Sequence, residues 1–161
     1  MSETARSEGK FVPAFFLPVV ESGEQMQDNW PLHITLFPPV LEPYNEAYGE
    51  ALRGLVHPLR PFDVMVGGRA YFGPEHDIPV QQIKPSRRLQ ELHQAMVRTI
   101  GMLLHDPTYR QPYNPHITVR NPEDVQLVRP ESTIHIGGLS IVTKLKGETS
   151  WMVSDKIGLK G

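Results

Sequence analysis

PLHITLFPPV, residues 31–40, and YNPHITVRN, residues 113–121, carry the same tripeptide, His-Ile-Thr, in two settings that read as strands. Side chains of a strand alternate faces with period two, so His33 and Thr35 point one way while Leu32, Ile34 and Leu36 point the other. The second copy repeats the pattern, with His116 and Thr118 on one face and Ile117 and Val119 behind them. Each copy thus presents an imidazole beside a hydroxyl, anchored by an apolar back. Extending the alternation carries Phe37 onto the first polar face and Arg120 onto the second. One copy alone reads as an ordinary half-buried strand whose histidine bonds locally. Two copies sharing the central Ile and the strand setting read as one site.

Outward from these stretches, FVPAFFLPVV (residues 11–20) is an apolar run interrupted by two prolines and too short to span a bilayer; it is expected to be a buried strand. No small-residue cleavage site follows it, which argues against a signal peptide. Residues 21–30 read as a polar loop, and Pro38-Pro39 stop the first motif strand. Asn45 to His57 carries Ala47, Ala51, Leu52 and Leu55 at helical spacing, closed by Pro58. Phe62–Val66, Arg69–Phe72 and Val80–Ile83 read as strands. Ser86 is a plausible N-cap for a helix to Leu104, with Leu89, Leu92, Met96, Ile100 and Leu103 along one face. After a strand over 116–120, Thr133–Leu145 holds two strand-like runs around Gly137-Gly138, and Ser150–Val153 adds an edge. This order is α+β, mainly antiparallel, with two principal helices. The expected organisation is a flexible tail over residues 1–10 and a single domain over residues 11–161.

Composition narrows the partners. The chain has 161 residues with 16 basic and 18 acidic side chains, a net charge of −2, which advertises no broad nucleic-acid footprint. A nucleotide or short oligonucleotide held by a few local cations fits better. Sixteen prolines are roughly twice the usual share and predict many loops. With no cysteine, disulfides and thiolate metal sites are excluded, which suits a reducing cytoplasm. No membrane partner is expected, and a monomer is the simplest assembly.

The paired residue types carry a definite chemistry. Histidine titrates near neutral pH, so one imidazole can take a proton from a nucleophile while another donates one to a leaving group. Threonine hydroxyls can hold non-bridging phosphate oxygens and stabilise charge developing there. Such a site requires no metal and no cofactor. Among other residues, Tyr113, Phe37 and Trp30 are candidates to stack a base. Trp30 is the weakest of these. Lys84, Arg87, Arg88 and Arg110 are candidates for a local positive field, with a solvated surface as the default for each. Arg87 and Arg88 oppose the dipole of the helix they open. His93 lies offset from its helix's apolar stripe, and His57, His76, His105 and His135 have no comparable partner.

The pair His33-Ile34-Thr35-Leu36 and His116-Ile117-Thr118-Val119 resembles the two His-x-Thr/Ser-x motifs of the 2H phosphoesterase superfamily, the LigT-like or 2′-5′ RNA ligase group. The resemblance extends over residues 11–153, including Pro115 before His116 and the long preceding helix. It implies a bilobal fold in which two mainly antiparallel sheets flank a central groove, with helices outside. It also implies metal-independent chemistry on 2′,3′-cyclic phosphates or 2′-5′-linked phosphodiesters. By that resemblance His33 and His116 form the acid/base pair, and Thr35 and Thr118 hold the phosphate. Many relatives place an arginine five residues after the second histidine; here Arg120 stands at four and Asn121 at five. Two rival readings are a non-catalytic nucleotide or RNA-end binding module, and a metal hydrolase using His33, His116 and a carboxylate such as Asp77. No His-x-His or His-Glu-x-x-His spacing supports the latter.

Overall fold

The computed structural model describes residues 9–27, 30–104, 112–145 and 147–161. His105, Arg110 and the first eight residues of the expected tail lie outside them. Among the described residues nine strands run in the order β1 (Lys10–Phe16), β2 (Gln25–Met26), β3 (His33–Thr35), β4 (Phe62–Phe72), β5 (Ile78–Ile83), β6 (His116–Thr118), β7 (Thr133–Ile136), β8 (Gly138–Lys144) and β9 (Trp151–Gly158). Helix α1 (Glu46–Val56) follows β3, helix α2 (Arg87–Leu103) follows β5, and a 3-10 helix (Pro122–Val128) follows β6. The strands form one sheet ordered β2-β9-β8-β1-β3-β6-β5-β4-β7, and the pairings are antiparallel.

The sheet has two halves that meet at the motif strands. β3 and β6 pair with Ile34 opposite Ile117. Outward from that seam, β1, β8 and β9 extend one half, and β5, β4 and β7 extend the other. The two flanking sheets expected from the motifs are therefore the two wings of a continuous ladder. The first half is discontinuous in sequence. It takes β1 and β3 from one end of the chain and β8 and β9 from the other, with the second half inserted between.

The back of the sheet carries the core. Ile34, Ile117, Leu36 and Phe15 pack there with the buried faces of both helices. Along α2, Leu89, Leu92, His93, Met96 and Ile100 are buried, close to the stripe read from the sequence. In α1 the buried residues are Tyr48, Gly49, Leu52 and Val56. The expected alanine-bearing face thus shares only Leu52 with the observed one. Tyr48, Leu52 and Val56 form an i, i+4, i+8 row, and they remove more apolar area from water than alanines can. The Tyr48 hydroxyl reaches Glu42 at 3.0 Å, so its ring is buried without stranding the polar end.

Several boundaries differ from the sequence reading. β4 runs unbroken through Gly67-Gly68, with a register shift between Val66 and Arg69. A Cβ at Gly67 would lie 3.3 Å from the Gln82 carbonyl oxygen, so a side chain at the bulge would push the paired strand back by a few tenths of an ångström. β1 stops at Phe16, short of Pro18, and β6 stops at Thr118. β9 is twice the expected length and lies between β2 and β8. The two runs around Gly137-Gly138 separate to opposite wings, β7 on β4 and β8 on β1.

Candidate active site

The antiparallel pairing of Ile34 with Ile117 sets His33 opposite Thr118 and Thr35 opposite His116. Directly opposite side chains in such a ladder have Cβ atoms about 4.5–5.5 Å apart. All four polar residues therefore share one patch on the face away from the helices. Each motif strand shows a half-buried, buried, half-buried pattern, with the isoleucine fully enclosed. The outer neighbours repeat the symmetry: Ala14 and Phe16 stand beside Thr35 and His33, while Val80 and Gln82 stand beside Thr118 and His116.

Both imidazoles are oriented in the same way. His33 Nδ1 lies 2.8 Å from the Pro31 carbonyl oxygen, and His116 Nδ1 lies 2.8 Å from that of Asn114. A carbonyl only accepts, so Nδ1 carries the proton in each ring and donates it. That leaves Nε2 of each histidine as the atom able to accept or deliver a proton toward the groove. The local bond to the residue two positions earlier fixes the tautomer by the strand's own backbone.

The two rings differ in their surroundings. His33 sits between aromatic neighbours, with ring centroids 5.2 Å from Phe16 and 5.1 Å from Trp30. Burial pushes the His33 imidazole below its ordinary pKa, the bond to Pro31 opposes this in part, and nearby His116 lowers it further. His116 meets the edge of Phe72 at 4.7 Å. Trp30, the weakest aromatic candidate by sequence, is thus in direct contact with a motif histidine. It is held in turn by Trp151 at 5.1 Å. Neither Phe16 nor Phe72 carried a sequence signal beyond strand hydrophobicity; Phe16 is brought in by its register opposite His33, and Phe72 lies on the strand beyond β5.

Beside His33 opens a hollow of about 220 Å³ lined by Trp30, Leu32, Thr118, Arg120, Asn121 and Asp124 as well as His33 itself. Arg120 is exposed and reaches this hollow although β6 ends before it. Leu32, expected on the apolar back, also lines it, because β3 begins only at His33. A second hollow of about 290 Å³ lies on the far side of Phe16, floored by Gly138 and Gly158 with Ser140 and Lys156 among its lining residues.

Phe37 is placed elsewhere. β3 ends at Thr35, so the alternation fails beyond it, and Phe37 is 4% exposed in the core, its ring 6.3 Å from His93. Tyr113 supports the site from behind: its ring stacks on His93 at 4.0 Å and its hydroxyl donates to the Thr35 carbonyl oxygen at 2.8 Å. His93, buried and held below its ordinary pKa by desolvation, bonds through Nδ1 to the Leu36 carbonyl oxygen. The candidate cations also have other work. Lys84 pairs with Glu131, Arg87 with Glu91, and Arg88 donates to the Arg60 carbonyl oxygen while lying over Phe62. His135 Nδ1 lies 2.9 Å from the Asp63 carboxylate. Among the described residues no group of three His, Asp or Glu side chains could hold a metal ion.

A two-winged antiparallel sheet with helices on one face and paired histidines on the other defines a protein of the 2H phosphoesterase kind. The chain belongs to the 2′-5′ RNA ligase superfamily, whose family model matches residues 16–137. Solved structures share the fold. TT0787 of Thermus thermophilus superposes with TM-score 0.65 at 21% identity, covering 94% of this chain and 98% of that one. E. coli LigT complexed with 3′-AMP gives 0.62 at 16% identity, with 94% and 98% covered. A further crystal structure, described as a phosphoesterase, gives 0.61 at 17%, with 94% and 99% covered. No curated protein sequence matches the chain. No helix among the described residues is long and apolar enough to cross a membrane.

Proposed function

We propose that the protein is a phosphoesterase that opens 2′,3′-cyclic phosphates or cleaves 2′-5′-linked phosphodiesters of nucleotides or short RNA. The observation that carries this reading is the matched pair of imidazoles, each with Nδ1 committed to a backbone carbonyl and Nε2 left for the groove. In hydrolysis of the cyclic ester, water attacks phosphorus, one Nε2 takes its proton, and the other protonates the departing ribose oxygen. The lowered pKa of His33 supports the base role for it in this direction, which assigns the acid role to His116. For a 2′-5′ bond the adjacent 3′-hydroxyl takes the place of water. Thr35 and Thr118, on the same face, donate hydroxyl hydrogen bonds to the non-bridging oxygens, and Arg120 adds positive charge at the rim.

The test is hydrolysis of 2′,3′-cyclic mononucleotides and 2′-5′ dinucleotides with a strong chelator present. Turnover is expected to persist in chelator, because both proton transfers are assigned to imidazoles. Nucleotide binding by calorimetry with no product after prolonged incubation would favour the binding-module reading instead.

A further inference from the structure

Acid/base work at phosphorus explains His33, Thr118 and Arg120 in the 220 Å³ hollow, and Trp30 in part as the shield of His33, but not Asn121 or Asp124. Asp124 lies in the first turn of the 3-10 helix, and its backbone N–H donates to the Asn121 carbonyl oxygen at 2.9 Å. Asn121 and Asp124 are thereby held together as one edge of the hollow. Asp124 is half-buried, and among the described residues its carboxylate has no ion-pair or hydrogen-bond partner. An unpaired carboxylate opposes an incoming phosphate, so its presence beside His33 calls for a counterpart in the ligand.

An ionised carboxylate only accepts hydrogen bonds, so that counterpart must be a donor. In a nucleoside 2′,3′-cyclic phosphate both of those ribose oxygens are esterified, which leaves the 5′-hydroxyl, common to all four nucleosides, and the base edge, which alone differs among them, as donors. Guanine presents two adjacent N–H groups, N1–H and the N2 amine, matching two carboxylate oxygens. Its O6, next along the same edge, accepts from a side-chain amide such as that of Asn121. Adenine and cytosine set a ring-nitrogen acceptor beside their amine, and uracil has a single N–H between two carbonyls. Trp30, braced by Trp151 and Phe16, offers an aromatic wall for stacking.

We propose that this hollow is a base subsite that selects guanine, with Trp30 as the stacking wall and Asp124 and Asn121 reading the edge. The inference rests on the phosphoesterase reading for its substrate class. The experiment compares kcat/KM for the four 2′,3′-cyclic mononucleotides, alongside calorimetric binding of 3′-GMP and 3′-AMP. Guanine is expected to lead by at least about ten-fold, the lower range for a bidentate contact. Asp124→Asn is expected to bring the four substrates within about three-fold, chiefly through KM, while Asp124→Glu, which keeps both acceptor oxygens, retains more of the preference. Turnover without guanine preference, or a preference undiminished in Asp124→Asn, overturns the subsite and leaves the phosphoesterase reading standing. Selective 3′-GMP binding without turnover does the reverse. Neither turnover nor binding overturns both.

Discussion

At the scale of single residues, the site is two copies of one device: an imidazole locked by the carbonyl two residues before it, with a hydroxyl supplied from the opposite strand. Under the proposed mechanism, replacing either histidine removes one of the two proton carriers. His33→Ala and His116→Ala are each expected to lower kcat by about 10²–10⁴-fold, with the far-ultraviolet circular dichroism unchanged. Full activity in either variant would sink the assignment. The burial of His33 also fixes a sign with pH. Its neutral form is favoured in the folded protein, so it stays a competent base below the ordinary histidine value, and the acid limb of the rate profile is expected below about pH 6.5. Trp30→Ala admits water to the ring and is expected to move that limb upward. In stability terms the depressed folded value means the contribution is complete above the unfolded pKa and is lost as pH falls through the folded one. His93, depressed by the same cause, adds in the same sense. Denaturant midpoints are therefore expected to fall on acidification from pH 7.5 to 5, and a flat profile would contradict it. The shared patch of His33, Thr35, His116 and Thr118 was legible in the doubled tripeptide. Phe37 was not, because alternation holds only while the strand lasts, and the strand lasts three residues.

At the scale of elements, the extents of the helices read best and the limits of the strands worst. Helical periodicity is local, and the cap read from the sequence is observed: Ser86 accepts from the Leu89 N–H at 3.2 Å, as Asn45 does from the Tyr48 N–H at 3.0 Å in the first helix. Ser86→Ala is expected to cost about 1 kcal/mol of stability by urea denaturation, the usual value of such a cap, with little change in activity. Strand limits depend on partners distant in sequence. The polar segment around Gln25 gives no strand pattern, yet it pairs with β9, and β9 outruns its own apolar pattern because β8 pairs along it. The back support of the first motif strand is a chain of contacts, from His93 on α2 to Tyr113 and on to the Thr35 carbonyl. Tyr113→Phe keeps the stacked ring and removes the hydroxyl. It is expected to cost about 0.5–1.5 kcal/mol and to raise KM more than it lowers kcat, as strand β3 loses its tether.

At the scale of the whole molecule, the paired histidines and threonines of the two wings are joined by a seam of three-residue strands centred on Ile34 and Ile117, both fully buried. Ile34→Ala and Ile117→Ala are each expected to cost about 2–5 kcal/mol, and the double variant less than their sum, since the two share one packing site. Strict additivity would argue against a common seam. The wing order also has a consequence in time. β1, with its run of buried phenylalanines, lies between β3 and β8, so one of its edges is covered only by a strand encoded far downstream. During synthesis this sticky segment emerges early and waits, exposed, until β8 arrives. The chain therefore depends on what shelters its first strand in the interval, and a slowed ribosome or a scarce chaperone would cost it yield before any property of the finished groove came into play.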